Sequence, residues 1–212
     1  MKWYTVSKEK LIEMSGQSYM PGATAVGIAY NGGVIIAAEK RISYGTYVVS
    51  KTGRKVFRIA DKVGAACAGL VGDMQVLMRE ITSYVKIREI ETRRSLAPNS
   101  VAKLLSVIMF ERRFAPFITQ IVIGGVAEKP SVYVLDPLGS VIPDKYASVG
   151  SGAELAIGVI ESEYSDDMDE ESAKKLAIKS IKSAIQRDSA SGDGVDIMVI
   201  NKDGIKEETT NF

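Results

Sequence analysis

The sequence predicts an α+β protein: a four-layer αββα sandwich, two antiparallel sheets packed face to face with a pair of helices on each outer side. Three observations lead there. Segments of strand and helix pattern follow the order strands, two helices, strands, two helices, strands. Helices that arrive in consecutive pairs do not suit the alternating βαβ order of a parallel sheet. Several strand segments, such as "QIVIGG", are apolar on both faces, as expected for strands covered on both sides.

The elements run as follows. "TAVGIAY" and "VIIAAEK" are β-rich runs joined by "NGG", a strong hairpin signal because Asn and Gly both tolerate positive φ. "KVFRIAD" and "VGAACAG" continue the strand pattern. From Asp73 the spacing predicts a helix with Leu77, Ile81, Tyr84 and Val85 on one face. "PNSVAKLLSVIMFERR" is a second helix, with Ser100 or Asn99 as its cap and Val101, Leu104, Leu105 and Ile108 at i, i+3, i+4 and i+7. Strands return in "FITQIVIGG" and "SVYVLDPLG". "GAELAIGVIESEY" is a third helix, with Leu155/Val159 and Ala156/Ile160 paired four apart. "DEESAKKLAIKSIKSAIQRD" is a fourth, its start crowded by Asp169, Glu170 and Glu171, where carboxylates favour the positive end of the helix dipole. "GVDIMVINK", a "DG" turn and a short closing run complete the chain.

Composition narrows the chemistry. The 212 residues carry a formal net charge of +1, so no electrostatic argument favours nucleic acid or a membrane surface. No apolar run approaches the roughly 18–20 residues of a membrane span. "MKWYTVSKEKLIEMSGQSYMPG" lacks the apolar core of a secretory signal, and a cytoplasmic location is expected. A single cysteine, Cys67, rules out an intrachain disulfide and a thiolate metal cluster. The chain has no histidine, which excludes Ser-His and Cys-His hydrolysis and imidazole metal sites. A hydrolase built from this chain alone needs a lysine, a carboxylate or a terminal amine as its base. No cofactor and no metal are expected.

Five segments, "GATAVGIAYNGGVIIAAEKR", "SKTGRKVFRI", "AGLVGD", "VGSG" and "RDSASGDG", occur in an order and at spacings that resemble a proteasome β subunit of archaeal type, in the N-terminal-nucleophile hydrolase superfamily. The resemblance covers nearly everything from Gly22 onward. It implies a leader over residues 1–22 and a proteasome β-type domain over 23–212. It also implies a threonine peptidase that uses the first residue of its mature chain as nucleophile, with the terminal amine as base. Lys55 corresponds to the lysine that eases deprotonation of the threonine hydroxyl. The neighbouring position, an aspartate in the family, is Glu39 here, which keeps the charge on a longer side chain. Ser151, Asp188 and Ser191 correspond to the residues that arrange the amine and its water. The backbone N–H of Gly69 corresponds to the oxyanion-hole donor, and Cys67 and Val71 to the lining of the specificity pocket. The implied partners are α subunits and other β subunits in stacked heptameric rings, an ATP-driven unfoldase at the particle ends, and unfolded polypeptide as substrate.

Taken singly, each of these residues has an ordinary explanation. A strand lysine is usually solvated, an aspartate at a helix end followed by "SASGDG" is a helix stop, and a lone cysteine is a small buried hydrophobe. The acidic "ESEYSDDMDEE" is a solvated loop and helix start. The ordered set points to the family. Aligning "VGI" on Val26, Gly27 and Ile28 places Ala23 at the nucleophile position, directly after Gly22. Alanine has no hydroxyl, so the preferred reading is a ring-building subunit whose own site is impaired. A natural difference and an introduced Thr-to-Ala change leave the same trace. The alternative is Thr24 as nucleophile after cleavage between Ala23 and Thr24. A shift of one residue along a strand turns that hydroxyl to the opposite face, away from Lys55, unless a bulge turns it back. A small-molecule amidase of the same superfamily also needs a terminal nucleophile, so Ala23 counts equally against it. A proteasome α subunit would carry an N-terminal helical extension that this leader does not resemble.

Overall fold

In the computed structural model of this chain the described residues are 22–211. The expected leader, residues 1–22, therefore lies, but for Gly22, outside them. Two five-stranded antiparallel sheets form the centre. The first has the order β10-β1-β2-β11-β12 and the second β5-β6-β7-β8-β9. The strands of the first are β1 (Thr24–Tyr30), β2 (Gly33–Glu39), β10 (Tyr146–Gly150), β11 (Val195–Asn201) and β12 (Gly204–Thr210). Those of the second are β5 (Val56–Ala60), β6 (Val63–Gly69), β7 (Thr119–Val126), β8 (Pro130–Leu135) and β9 (Val141–Asp144). A small hairpin, β3 (Ile42–Tyr44) with β4 (Tyr47–Ser50), stands apart. The helices are α1 (Val71–Thr92), α2 (Pro98–Glu111), α3 (Ala153–Glu163) and α4 (Glu170–Ile185).

The layers follow from which strand face carries which side chains. Between the sheets lie Ala23, Ala25, Val34, Ile36 and Ala38 of one and Val56, Ala66, Ala68, Val122 and Val132 of the other. The alternate residues Val26, Ile28, Ile35, Ala37 and Ile197 pack under Ala156, Ile160, Leu176 and Ile181 of α3 and α4. Val63, Ala65, Cys67, Ile121 and Ile123 pack under Leu77, Ile81, Val101 and Leu105 of α1 and α2. The αββα sandwich is thus the observed fold, and strands buried on both faces account for the apolar runs. Small residues set how closely the sheets approach. A Cβ added at Gly27 would stand 2.5 Å from Val122 Cγ1, closer than packed carbons tolerate.

Several local expectations are corrected. The first helix begins at Val71 rather than Asp73, and Tyr84 is 49% exposed, outside the buried stripe of Met74, Leu77, Met78, Ile81 and Val85. The second helix begins at Pro98 after Ala97, without a side-chain cap. Proline is preorganised for the first helical position, where its missing N–H costs nothing, so neither Asn99 nor Ser100 is needed. Leu155 is also exposed, and Ala156 and Ile160 carry the contact of α3. Asp169 caps α4, accepting from the Ser172 N–H at 2.8 Å. The "NGG" hairpin is as expected: β1 and β2 close at Tyr30↔Gly33, with Gly32 at φ +111°.

Candidate active site

Residue 23 stands immediately before β1, which is held on one side by β2 and on the other by β10 through the register Thr24↔Gly150. The turn after β10 delivers Ser151 beside it. The Ala23 backbone N–H donates to Ser151 Oγ at 3.1 Å, and Ser151 donates to Asp188 Oδ2 at 2.6 Å. The same carboxylate oxygen takes the Ser191 hydroxyl at 2.7 Å, and Asp188 Oδ1 takes the Ala190 N–H at 3.1 Å. Ser191 Oγ also meets Thr24 Oγ1 at 2.8 Å. A hydroxyl has one proton. With that of Ser191 given to Asp188, the Thr24 hydroxyl is the donor to Ser191. Every bond in the chain Ala23–Ser151–Asp188–Ser191–Thr24 therefore points toward one aspartate.

Thr24 is fully buried. By the two-residue period it shares its face with Val26 and Ile28, which belong to the helix-covered core, whereas Ala23 and Ala25 belong to the core between the sheets. A Cβ at Gly152, just before α3, would lie 2.1 Å from Thr24 Oγ1. That hydroxyl thus sits beneath the α3–α4 layer. Among the described residues no hydrogen bond joins it to Lys55.

Lys55 precedes β5 by one residue rather than lying within the strand, though its carbonyl still accepts from Cys67 N–H at 2.9 Å. Its side chain is 3% exposed, and its ammonium donates to Glu39 Oε1 and to the Arg41 carbonyl. Glu39 is wholly buried at the end of β2, and its second oxygen accepts from the backbone N–H groups of Arg41 at 2.7 Å and Gly192 at 3.0 Å. Burial pushes the Glu39 carboxyl above its ordinary pKa, opposed by the Lys55 charge and the N–H donors. Burial likewise lowers Lys55, opposed by Glu39. Desolvation disfavours charge on both, and the pairing offsets it in part.

Gly69 ends β6 at φ +146°, where a Cβ would stand 2.2 Å from the Ile118 carbonyl. It borders a cavity of about 150 Å³ together with Ala68, Ile118, Thr119, Gln120, Pro137, Gly150 and Ser151, none of them charged. Cys67 and Val71 are not among these residues. Cys67 is buried with the α1–α2 core and Val71 opens α1. Burial raises the Cys67 thiol far above its usual range, as suits a packing residue. Larger clefts, such as the one along Arg58, Thr82, Lys86 and Ile90, contain none of the site residues.

Arg41 carries no signal in the sequence that marks it as part of the site. Its Nε donates to Asp193 Oδ2 at 2.8 Å, and a second guanidinium nitrogen donates to the Ser189 carbonyl at 3.0 Å. The signal available was the run "SGDG", which predicts a tight loop but does not name what holds it.

An αββα sandwich in which a Ser-Asp-Ser group addresses the backbone nitrogen at the head of an inner strand, with a buried lysine nearby, is the architecture of the N-terminal-nucleophile hydrolases. Comparison with known proteins narrows this. The sequence pattern of the family described as "Proteasome subunit" matches residues 20–200. The chain is 55% identical to proteasome subunit beta 1 of Nitrosopumilus maritimus over 191 residues, 90% of this chain and 96% of that one. It is 55% identical to proteasome subunit beta 1 of Cenarchaeum symbiosum over 188 residues, 89% and 97% of the two chains. It is 51% identical to proteasome subunit beta 2 of Pyrobaculum arsenaticum over 194 residues, 91% and 96%. The chain belongs to the proteasome subunit family, as a β subunit of archaeal type.

Proposed function

We propose that this chain is a structural β subunit of a proteasome core particle, impaired as a peptidase because Ala23 stands at the nucleophile position. The observation that carries this reading is the hydrogen bond from Ala23 N–H to Ser151 Oγ. The group that the resemblance assigns to the terminal amine addresses the nitrogen of residue 23. The nitrogen of Thr24 belongs instead to a strand residue paired with Gly150. In an active relative, the hydroxyl at this position would attack the substrate carbonyl. The amine would take the proton through water, Lys55 would lower the cost of the alkoxide, and Gly69 N–H would bind the developing oxyanion. Here the side chain of residue 23 ends at Cβ without a hydroxyl, and neither leader cleavage nor peptide attack has a nucleophile at that position.

The reading divides the chain into a leader, 1–22, and a β-type domain, 23–212. It places the domain in heptameric β rings between α rings, in the cytoplasm, with unfolded polypeptide delivered by an ATP-driven unfoldase and cut by other β chains. No helix among the described residues is long and apolar enough to cross a membrane. The test is peptide hydrolysis by particles assembled with this chain as the sole β subunit. The expected result is no turnover above an α-ring control, with turnover appearing when a second, threonine-bearing β subunit is included. Turnover by the single-β particle would overturn the reading in favour of Thr24.

A further inference from the structure

The site is made of two halves far apart in sequence. One is the Lys55–Glu39 pair and the other is the loop 188–193 that carries Asp188 and Ser191. Arg41 touches both. Its backbone N–H donates to Glu39 and its carbonyl accepts from Lys55. Its guanidinium reaches across to the loop and holds it at both ends, through the Ser189 carbonyl and the Asp193 carboxylate. Ala190, Ser191 and Gly192 lie between those two anchors. The guanidinium covers Gly192 so closely that a Cβ there would stand 2.3 Å from one of its nitrogens.

The far anchor is strained. Asp193 adopts φ +68°, an unusual conformation for a residue with a side chain, which persists only where the surroundings fix it. Lys51 Nζ, 3.8 Å from the other Asp193 oxygen, is 72% exposed and contributes little. The partly buried Arg41 bond is the principal restraint. The loop is also tied to β2 by Gly192 N–H to Glu39 and by Lys40 N–H to the Gly192 carbonyl at 3.1 Å.

We propose that Arg41 is a positioning residue: its guanidinium clamps loop 189–193 and so fixes Ser191 and Asp188 relative to the Lys55–Glu39 pair. This rests on the reading of residue 23 as the nucleophile position, because the clamp matters to chemistry only if those groups serve that residue.

The experiment has two arms. In the unaltered Ala23 chain, amide exchange at Ser191 and Gly192 is compared between the parent and Arg41→Met. The clamp predicts faster exchange at these two residues and no change at Met198 in β11. In particles built with Ala23→Thr, Arg41→Met and Asp193→Gly are each predicted to lower kcat on the order of 10–100-fold with KM nearly unchanged, the signature of misplaced groups. Asp193→Asn, which keeps an oxygen acceptor, should recover part of the loss. Asp193→Gly separates positioning from stability. Glycine relieves the positive φ, so thermal stability should hold or rise while kcat falls. Unchanged exchange overturns the clamp. Faster exchange with an unchanged kcat reduces it to a loop staple and overturns the positioning role. Failure of Ala23→Thr itself to cut peptides overturns the reading of residue 23 instead, and the exchange arm then decides the clamp alone.

Discussion

Ala23→Thr is expected to make the chain a self-processing peptidase. The proposed site already holds the groups such a threonine would use. Ser151 holds the nitrogen of residue 23, Asp188 orders both serines, Lys55 is buried and paired, and Gly69 borders an uncharged cavity beside Ser151. On the proposed reading of residue 23, the hydroxyl is the one group lacking. Residue 23 is fully buried in the core between the sheets, and threonine adds a hydroxyl and a methyl there. A small loss of stability, about 1 kcal/mol, is therefore expected alongside the gain. The expected result is loss of residues 1–22 on assembly and peptide turnover several orders of magnitude above the parent, since a nucleophile and its base are restored together. Assembly without cleavage would mean that the two halves of the site are not aligned on residue 23.

The second large effect concerns the buried ion pair. Lys55→Met removes the ammonium but leaves the Glu39 carboxylate fully buried, held only by the N–H groups of Arg41 and Gly192. Orphaning a buried charge typically costs about 3–5 kcal/mol, and the two remaining donors put this case near the lower figure. Burial already raises the Glu39 carboxyl, and Lys55 is the chief influence opposing it, so its removal raises the carboxyl further. The folded variant then holds a proton more tightly than the unfolded chain. The resulting stability is fully present below the unfolded pKa and is lost as pH rises through the folded one. Urea unfolding of Lys55→Met should therefore show a smaller deficit against the parent near pH 5 than near pH 8. An equal deficit at both values would remove Glu39 as the source.

The strand faces were legible wherever a run was long. "TAVGIAY" and "VIIAAEK" show the two-residue period, and the structure divides their side chains between two cores accordingly. The short strands were not. β3, β4, β9 and β10 have three to five residues each, and β9 contains Pro143. Runs of that length carry too few turns of the pattern to separate strand from loop. β10 is the costliest omission, since it flanks β1 and delivers Ser151. Spacing alone groups Tyr84 with Leu77, Ile81 and Val85, yet a tyrosine at the margin of a helix face stands in solvent without penalty.

The candidate site is read from the order of its segments rather than from any one residue. Lys55, Glu39, Ser151, Asp188 and Ser191 do fall into two connected hydrogen-bond groups. What joins those groups was hidden. Arg41 and Asp193 are 152 residues apart, and an arginine after a strand has a solvated surface as its ordinary setting. Only three-dimensional pairing brings them together.

The most direct measurement is the intact mass of this chain isolated from assembled particles. The expected mass still includes the residues before Ala23, because residue 23 has no hydroxyl with which to cut the leader. A mass beginning at Thr24 would contradict it. The nucleophile would then be Thr24, and the hydroxyl that lies under the α3–α4 layer would have to turn toward Lys55 once the chain is cut.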